Sequence, residues 1–140
     1  MIIESVQQLL RPYDFIDFAL LFGSYARDKQ TTLSDIDIAI YTSRPIGLLE
    51  QGNILSVLEE KLGKKIDLIL LNGLEKENAK MAFNIVDNHK VILNKQQQKY
   101  IDFKANTYKY YLDLKPMYEM FDNALRERIA SGTYGKAQAS

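Results

Sequence analysis

The stretch that decides the fold runs Gly23-Ser24-Tyr25-Ala26-Arg27 and continues, six residues later, as Ser34-Asp35-Ile36-Asp37-Ile38. The first motif follows the apolar run 18–22 (FALLF), and the second opens the alternating run 36–41 (IDIAIY). Short apolar or alternating runs that are rich in β-branched residues predict strands. Because glycine permits a tight turn, the pattern predicts two strands whose connection brings both motifs to one place.

Two carboxylates in the second motif indicate a cation site. Residues two apart on a strand share a face, so Asp35 and Asp37 are expected on one face, and Ile36, Ile38 and Ile40 on the other. Like charges this close repel each other and contribute nothing to a core. Mg²⁺ is usually held by one or two carboxylates together with substrate phosphates and water. The pair therefore indicates a magnesium and nucleotide site.

The Gly-Ser pair supplies the other half of such a site. A serine hydroxyl and the amides that follow it can hold a phosphate at the start of a helical turn, and Arg27 lies one turn further on. Each feature alone is a weak signal, because Gly-Ser is usually a simple turn and Asp-x-Asp is usually a solvated strand face. The joint order of strand, Gly-Ser turn and Asp-x-Asp strand favours nucleotide binding.

A third acid lies in the run 65–71 (KIDLILL), which predicts a buried strand. Asp67 is its only carboxylate, and an isolated charge in a buried strand is costly unless it is paired or bound to metal. One interpretation is an ordinary ion pair with Lys64 or Lys65. The other is that Asp67 completes the metal site and acts as general base on an attacking hydroxyl.

Taken together, Gly23-Ser24, Ala26-Arg27 and Ser34-Asp35-Ile36-Asp37 resemble the signature of the polymerase-β-like nucleotidyltransferases, in their minimal nucleotidyltransferase (MNT) branch. The resemblance implies an α/β fold with a small mixed sheet covered by helices, and a site for ATP and two Mg²⁺ ions. It implies catalytic and metal-binding roles for Asp35, Asp37 and Asp67, and nucleotide-binding roles for Gly23, Ser24, Arg27 and Ser34.

One position departs from the pattern of that branch. Asp28 stands where a glycine commonly follows the Ala-Arg pair. We expect the additional carboxylate to reshape the loop and to affect triphosphate affinity.

The rest of the core is predicted from periodicity and turn residues. Helices are expected over 3–10, 46–62 and 75–87, and a last strand over 91–93. In the helix over 46–62, Leu48 and Leu49 are expected on the apolar face. His89 lies in a polar turn and is expected at the surface.

A single long helix is predicted from Lys95 onward. It carries an apolar stripe at three- and four-residue steps, formed by Tyr100, Phe103, Thr107, Tyr110, Leu114, Met117, Phe121 and Leu125. The stripe can dock a partner, or it can fold back on the sheet with a bend at Pro116. The predicted organisation is a nucleotidyltransferase core over 1–94, a helical extension over 95–130 and a flexible tail over 131–140.

This long helix resembles that of the antitoxins of HEPN/MNT toxin–antitoxin systems, the MntA-like proteins. The resemblance implies that AMP is transferred from ATP to a tyrosine of a HEPN-family ribonuclease toxin, which is thereby silenced. Two alternatives remain: transfer to the hydroxyl of a small molecule, and a non-catalytic antitoxin that acts by steric binding. The short chain disfavours the first, and three intact acids disfavour the second.

Composition excludes several other classes. The chain has no cysteine and one histidine, so thiolate and histidine-rich metal sites are excluded. Its formal net charge is +0, which argues against broad binding to nucleic-acid phosphates, and no direct nucleic-acid binding is expected. Its apolar runs are too short to span a membrane, and its first residues lack the features of a signal peptide, so a cytoplasmic location is expected.

Overall fold

The computed structural model describes residues 2–131, so all but the first residue of the tail predicted over 131–140 lies outside the described residues. Within them the chain forms five α-helices, four strands and one short 3₁₀ turn at Gly23–Tyr25. The helices are α1 (Ile2–Leu10), α2 (Leu48–Leu62), α3 (Leu74–Glu77), α4 (Ala79–Asp87) and α5 (Gln97–Ala130). The strands are β1 (Ile16–Phe22), β2 (Ile36–Thr42), β3 (Ile66–Leu70) and β4 (Lys90–Asn94).

The four strands form one mixed sheet in the order β3-β2-β1-β4. Strand β1 is antiparallel to both β2 and β4, whereas β2 and β3 are parallel and are connected through α2. The α/β class and the mixed sheet expected from the sequence are thus confirmed. The end of β1 and the starts of β2 and β3 lie side by side, on the side of the sheet that is formed by strand ends.

Hydrophobic cores cover both faces of the sheet. Ile36, Ile38 and Ile40 are fully buried on the face that packs against α1 and α2, as the alternation predicts. On the opposite face, Ala39 and Tyr41 pack with residues of α3, α4 and α5. Because side chains alternate along a strand, residue 37 lies on this second face.

Two helix predictions need correction. The helix predicted over 75–87 is broken into α3 and α4 at Asn78, whose side-chain oxygen accepts a hydrogen bond of 3.1 Å from the Met81 amide and caps α4. Leu48 and Leu49 are exposed at the start of α2 rather than buried, and α2 packs through Ile54 and Leu58.

The prediction that β3 is buried was also wrong. It is an edge strand, and of its five residues only Ile66 is fully buried, while Asp67 is exposed. Asp67 is therefore not a buried charge, and the cost of burying an unpaired carboxylate does not explain its presence in β3.

Helix α5 begins against the core and then extends beyond it. Tyr100, Phe103 and Thr107 are buried in the core, whereas the apolar residues of the second half, from Leu112 onward, are exposed or half-buried. The fold-back interpretation therefore holds for the first half only. The helix continues through Pro116 without ending there. None of the described helices is long and apolar enough to cross a membrane.

His89 is half-buried, so its prediction as a surface residue was wrong. Its Nδ1 lies 2.8 Å from the Val86 carbonyl and its Nε2 lies 2.7 Å from the Tyr100 hydroxyl. Since a carbonyl only accepts, Nδ1 donates and Nε2 accepts from the tyrosine. The imidazole thus links the end of α4 to α5.

Candidate active site

Two acids face each other across the parallel pair of strands. Asp37 of β2 is the register partner of Asp67 of β3, and Phe22 at the end of β1 is the register partner of Asp37 on the other side. Register partners in a sheet present their side chains on the same face. The carboxyl groups of Asp37 and Asp67 hydrogen-bond to each other.

This arrangement changes the acidity of Asp37. Partial burial, the hydrogen bond and repulsion from Asp67, and repulsion from Asp35 raise its pKa from 3.8 to about 6, while Arg27 opposes the rise. Asp37 therefore keeps its proton to a higher pH than an ordinary aspartate does, because the negative charges around it are insufficiently compensated. A bound cation would supply that compensation.

Asp35 lies one residue before β2 and borders the same group. Its Oδ2 is 3.9 Å from the Nζ of Lys65, an exposed side chain. In the described part of the chain neither Lys64 nor Lys65 is paired with Asp67, and the Lys64 ammonium instead donates to the Thr32 carbonyl. The ordinary ion pair considered for Asp67 is thus wrong.

The acids suit a cation that also binds substrate. Within residues 2–131 no three acidic or histidine side chains are placed closely enough to form a complete metal site by themselves. Asp37 and Asp67 nevertheless offer adjacent hard oxygen donors with uncompensated charge. This donor set matches Mg²⁺, which commonly takes one or two carboxylates and fills its remaining positions with phosphate oxygens and water.

The Gly-Ser turn approaches the acids directly. Gly23 has a φ of +71°, a backbone conformation that favours glycine, and a Cβ built on it would overlap the Oδ2 of Asp37. The turn ends as the Arg27 amide donates to the carbonyls of Gly23 (3.3 Å) and Ser24 (3.2 Å). The first amides of such a turn have no acceptor within it, so they are available to an anion beside the acids.

Ser24 and Arg27 border the same space. Ser24 is half-buried, and its hydroxyl makes no hydrogen bond within the described residues. The exposed Arg27 guanidinium lies close enough to lower the pKa of Asp37. Both positions are compatible with phosphate binding.

Asp28 does not join the acidic group. Its φ is +55°, which explains why a glycine suits this position, and aspartate tolerates it better than most residues. Its Oδ1 pairs with the Lys90 ammonium of β4 at 2.6 Å. Asp28 thus forms a surface ion pair and is not among the charges that act on Asp37, while a reshaped loop and a changed triphosphate affinity stay predictions.

Ser34 has a clear role in its own loop. Its Oγ accepts a hydrogen bond of 2.8 Å from the Thr31 amide, and its amide donates to the Thr31 carbonyl at 3.1 Å. These bonds close the turn that delivers the chain into β2. Nucleotide binding by Ser34 stays a prediction.

Helix α4 adds a wall that sequence reasoning missed. Beside the turn, Phe22, Gly23 and Arg27 border a pocket of about 140 Å³. Its opposite side is formed by four residues of and next to α4: Met81, Asn84, Ile85 and Asn88. The four-residue spacing of the two asparagines is a signal for a shared helical face, but nothing in the sequence places that face against the Gly-Ser turn.

Comparison with known proteins identifies the family. Residues 4–98 match the model of the family described as "Polymerase beta, Nucleotidyltransferase". The chain therefore belongs to this nucleotidyltransferase family. It is similar to the candidate protein adenylyltransferase MJ1217 of Methanocaldococcus jannaschii, with 35% identity over 81 residues, which is 58% of this chain and 83% of that protein.

Solved structures share the fold over most of the chain. A chain from a toxin–antitoxin complex with AMP-PNP superposes with a TM-score of 0.76 and 22% identity, covering 90% of this chain and 99% of the other. A second similar chain comes from the tri-AMPylated Shewanella oneidensis HEPN toxin in complex with MNT antitoxin, with a TM-score of 0.71, 21% identity and coverage of 89% and 95%. The long C-terminal helix is thus part of a known variant of the fold.

Proposed function

We propose that this protein is an antitoxin nucleotidyltransferase that transfers AMP from Mg²⁺-ATP to a tyrosine of a HEPN-family toxin. The observation that carries the proposal is the register pairing of Asp37 with Asp67 beside the Gly23-Ser24 turn. Fold similarity to antitoxin chains, and sequence similarity to a candidate protein adenylyltransferase, support the choice of donor and acceptor class.

Each residue has a role in this reaction. The Ser24 hydroxyl, the amides of the turn and Arg27 hold the triphosphate. Asp35, Asp37 and Asp67 would hold the metal together with oxygens of the triphosphate, and the metal would neutralise phosphate charge and lower the pKa of the attacking hydroxyl. Asp67 is exposed at the sheet edge, so an incoming acceptor can reach it.

The chemical step is an in-line displacement. The tyrosine oxygen forms a bond to the α-phosphorus, the bond from that phosphorus to the bridging oxygen breaks, and pyrophosphate leaves. Asp67 accepts the phenolic proton as general base. A phenol has a pKa of about 10, so less activation is needed than for an aliphatic alcohol.

The second half of α5 provides a surface for the partner. Phe103 and Thr107 of the apolar stripe are buried in the core. Beyond the core the stripe continues with Met117, Phe121 and Leu125, whose side chains are 42%, 62% and 42% exposed. Large exposed apolar residues in one row commonly mark protein interfaces. A helical toxin would cover this row while it presents a tyrosine to Asp67.

The test is to incubate the purified chain with a HEPN-family toxin and Mg²⁺-ATP, and to measure the intact mass of the toxin. We expect an increase by one or more adenylyl groups, located on tyrosine by peptide sequencing. A stable complex without any increase would favour the purely steric antitoxin. Modification of a small hydroxyl compound in place of the protein would favour the small-molecule enzyme.

A further inference from the structure

The pocket between α4 and the Gly-Ser turn lies on the same face of the sheet as the acids. Asp37 points toward the face covered by α3, α4 and α5, because Ile36 and Ile38 occupy the other face. Phe22, its register partner, lines the pocket together with Gly23 and Arg27. A nucleotide whose phosphates lie on the turn therefore has this pocket within reach.

The lining combines apolar faces with two carboxamides. Phe22, Met81 and Ile85 supply apolar surface, and Asn84 and Asn88 supply the polar groups. Ligand sites commonly consist of an apolar lining with a few polar groups that fix orientation. A planar aromatic base fits this composition better than a phosphate or a sugar does.

The two asparagines are unusual among the asparagines near the sheet. Asn72 bonds Thr42, Asn78 caps α4, and Asn94 bonds Gln97. Asn84 and Asn88 are exposed at the rim of the pocket, and within residues 2–131 their carboxamides make no hydrogen bond, so both are accessible to a ligand. Asparagine is a weak helix former, so helix propensity does not explain Asn84 within α4, whereas Asn88 caps the end of that helix.

We propose that this pocket binds the base of the nucleotide and that Asn84 and Asn88 select adenine. A carboxamide carries a donor and an acceptor side by side, and this pair matches the amino group and ring nitrogen on an adenine edge. The corresponding edge of guanine presents two acceptors, which a single asparagine cannot satisfy in the same way. The inference rests on the proposed function for the position of the phosphates.

The experiment measures Mg²⁺-dependent binding of ATP, GTP and inorganic tripolyphosphate to the full chain by titration calorimetry. For the parent protein we expect ATP to bind more tightly than either GTP or tripolyphosphate. Asn84→Ala and Asn88→Ala should reduce the preference for ATP over GTP by about ten- to a hundredfold for a lost bidentate contact. Their affinity for tripolyphosphate should stay unchanged.

Asn53→Ala is the matched control, because Asn53 is exposed on α2, which packs on the other face of the sheet. It should retain the ATP preference of the parent. Thermal unfolding checks that each variant folds, and alanine at position 84, within α4, should not lower the stability.

Two outcomes would overturn the proposal: equal binding of ATP and tripolyphosphate by the parent protein, or an unchanged ATP to GTP ratio in both pocket variants. These outcomes are separate from those of the transfer assay. A protein that prefers ATP through Asn84 and Asn88 but adds no AMP to any partner keeps its base pocket and loses the proposed function. A protein that adds nucleotide to its partner without base preference keeps the proposed function and loses the base pocket.

Discussion

The carboxylate of Asp37 occupies the position where a side chain on Gly23 would have to lie. The glycine also has a φ of +71°, so two independent constraints exclude larger residues there. The positions of Gly23 and Asp37 therefore depend on each other, and a substitution at one residue should displace the other.

We therefore expect Gly23→Ala to lower the free energy of unfolding by about 1–3 kcal/mol, the cost of a strained backbone conformation, and to displace Asp37. Transfer activity should fall by more than the loss of folded protein accounts for. The matched control is Gly52→Ala on α2, where an added Cβ meets no atom within 4 Å. That variant should gain about 0.5–1 kcal/mol from helix propensity. Denaturant unfolding of both variants tests the pair, and equal effects would contradict the fit between Gly23 and Asp37.

The raised pKa of Asp37 predicts how stability depends on pH. Between the ordinary value of 3.8 and about 6, the folded state binds more protons at this residue than the unfolded state does. Stability contributed by this group is therefore present at low pH and is lost as the pH rises through about 6. Asp37→Asn removes this loss, so its stability relative to the parent should increase across that window.

Asp14→Asn, at an exposed turn position, serves as the control for the general effect of removing a carboxylate. Near neutral pH, Mg²⁺ should raise the melting temperature of the parent and of Asp14→Asn but not of Asp37→Asn, because ligands stabilise only the state that binds them. A magnesium response that survives in Asp37→Asn would remove this residue from the metal site.

Asp35→Asn and Asp37→Asn should each abolish nucleotidyl transfer while the fold persists. The metal contributes several kcal/mol to the stabilisation of charge in the transition state, so we expect a loss of about two orders of magnitude or more. Single-turnover assays with Mg²⁺-ATP measure the loss. Transfer at the parent rate by either variant would contradict its assignment.

The placement of Asp35 and Asp37 outside the core could be predicted because the pattern that indicates it lies within a few consecutive residues. Alternation along β2 specifies which residues enter the core, and the charges of Asp35 and Asp37 stand out against it. The exposure of β3 could not be predicted, since a five-residue strand of four isoleucine and leucine residues and one aspartate has a pattern that fits an edge strand and a central strand equally well. The wall formed by α4 was missed for a related reason, because only the packing of α4 on the sheet brings Asn84 beside Gly23.

Asp28→Gly tests the departure from the family pattern. Glycine relieves the left-handed backbone at this position, while the exposed pair with Lys90 is lost. Such surface pairs contribute about 0–1 kcal/mol, so the two effects should nearly cancel in the free energy of unfolding. Because Asp28 faces Lys90 rather than the acids, ATP affinity should change by less than about threefold, under 1 kcal/mol. A large gain in affinity on titration would show that its charge does act on the triphosphate.

The exposed half of α5 allows partner binding to be separated from catalysis. Phe121 lies on the stripe and is 62% exposed, whereas Leu112 is 59% exposed but precedes it by nine residues, about two and a half helical turns. The two side chains therefore have similar exposure on opposite faces of one helix. Tyr110, also on the stripe, is half-buried and suits the test less well, because its substitution would disturb the protein itself.

Phe121→Glu should therefore weaken binding to the HEPN partner by about 2 kcal/mol or more, the typical cost of losing an aromatic anchor, while ATP affinity and folding stay unchanged. Leu112→Glu should bind the partner like the parent protein. Asp35→Asn should show the converse of Phe121→Glu, since it keeps the partner but adds no AMP. Size-exclusion chromatography and intact-mass measurement on the same mixtures separate the two defects. If Leu112→Glu disrupts the complex and Phe121→Glu does not, the stripe is not the docking face, and the partner must approach α5 from its opposite side.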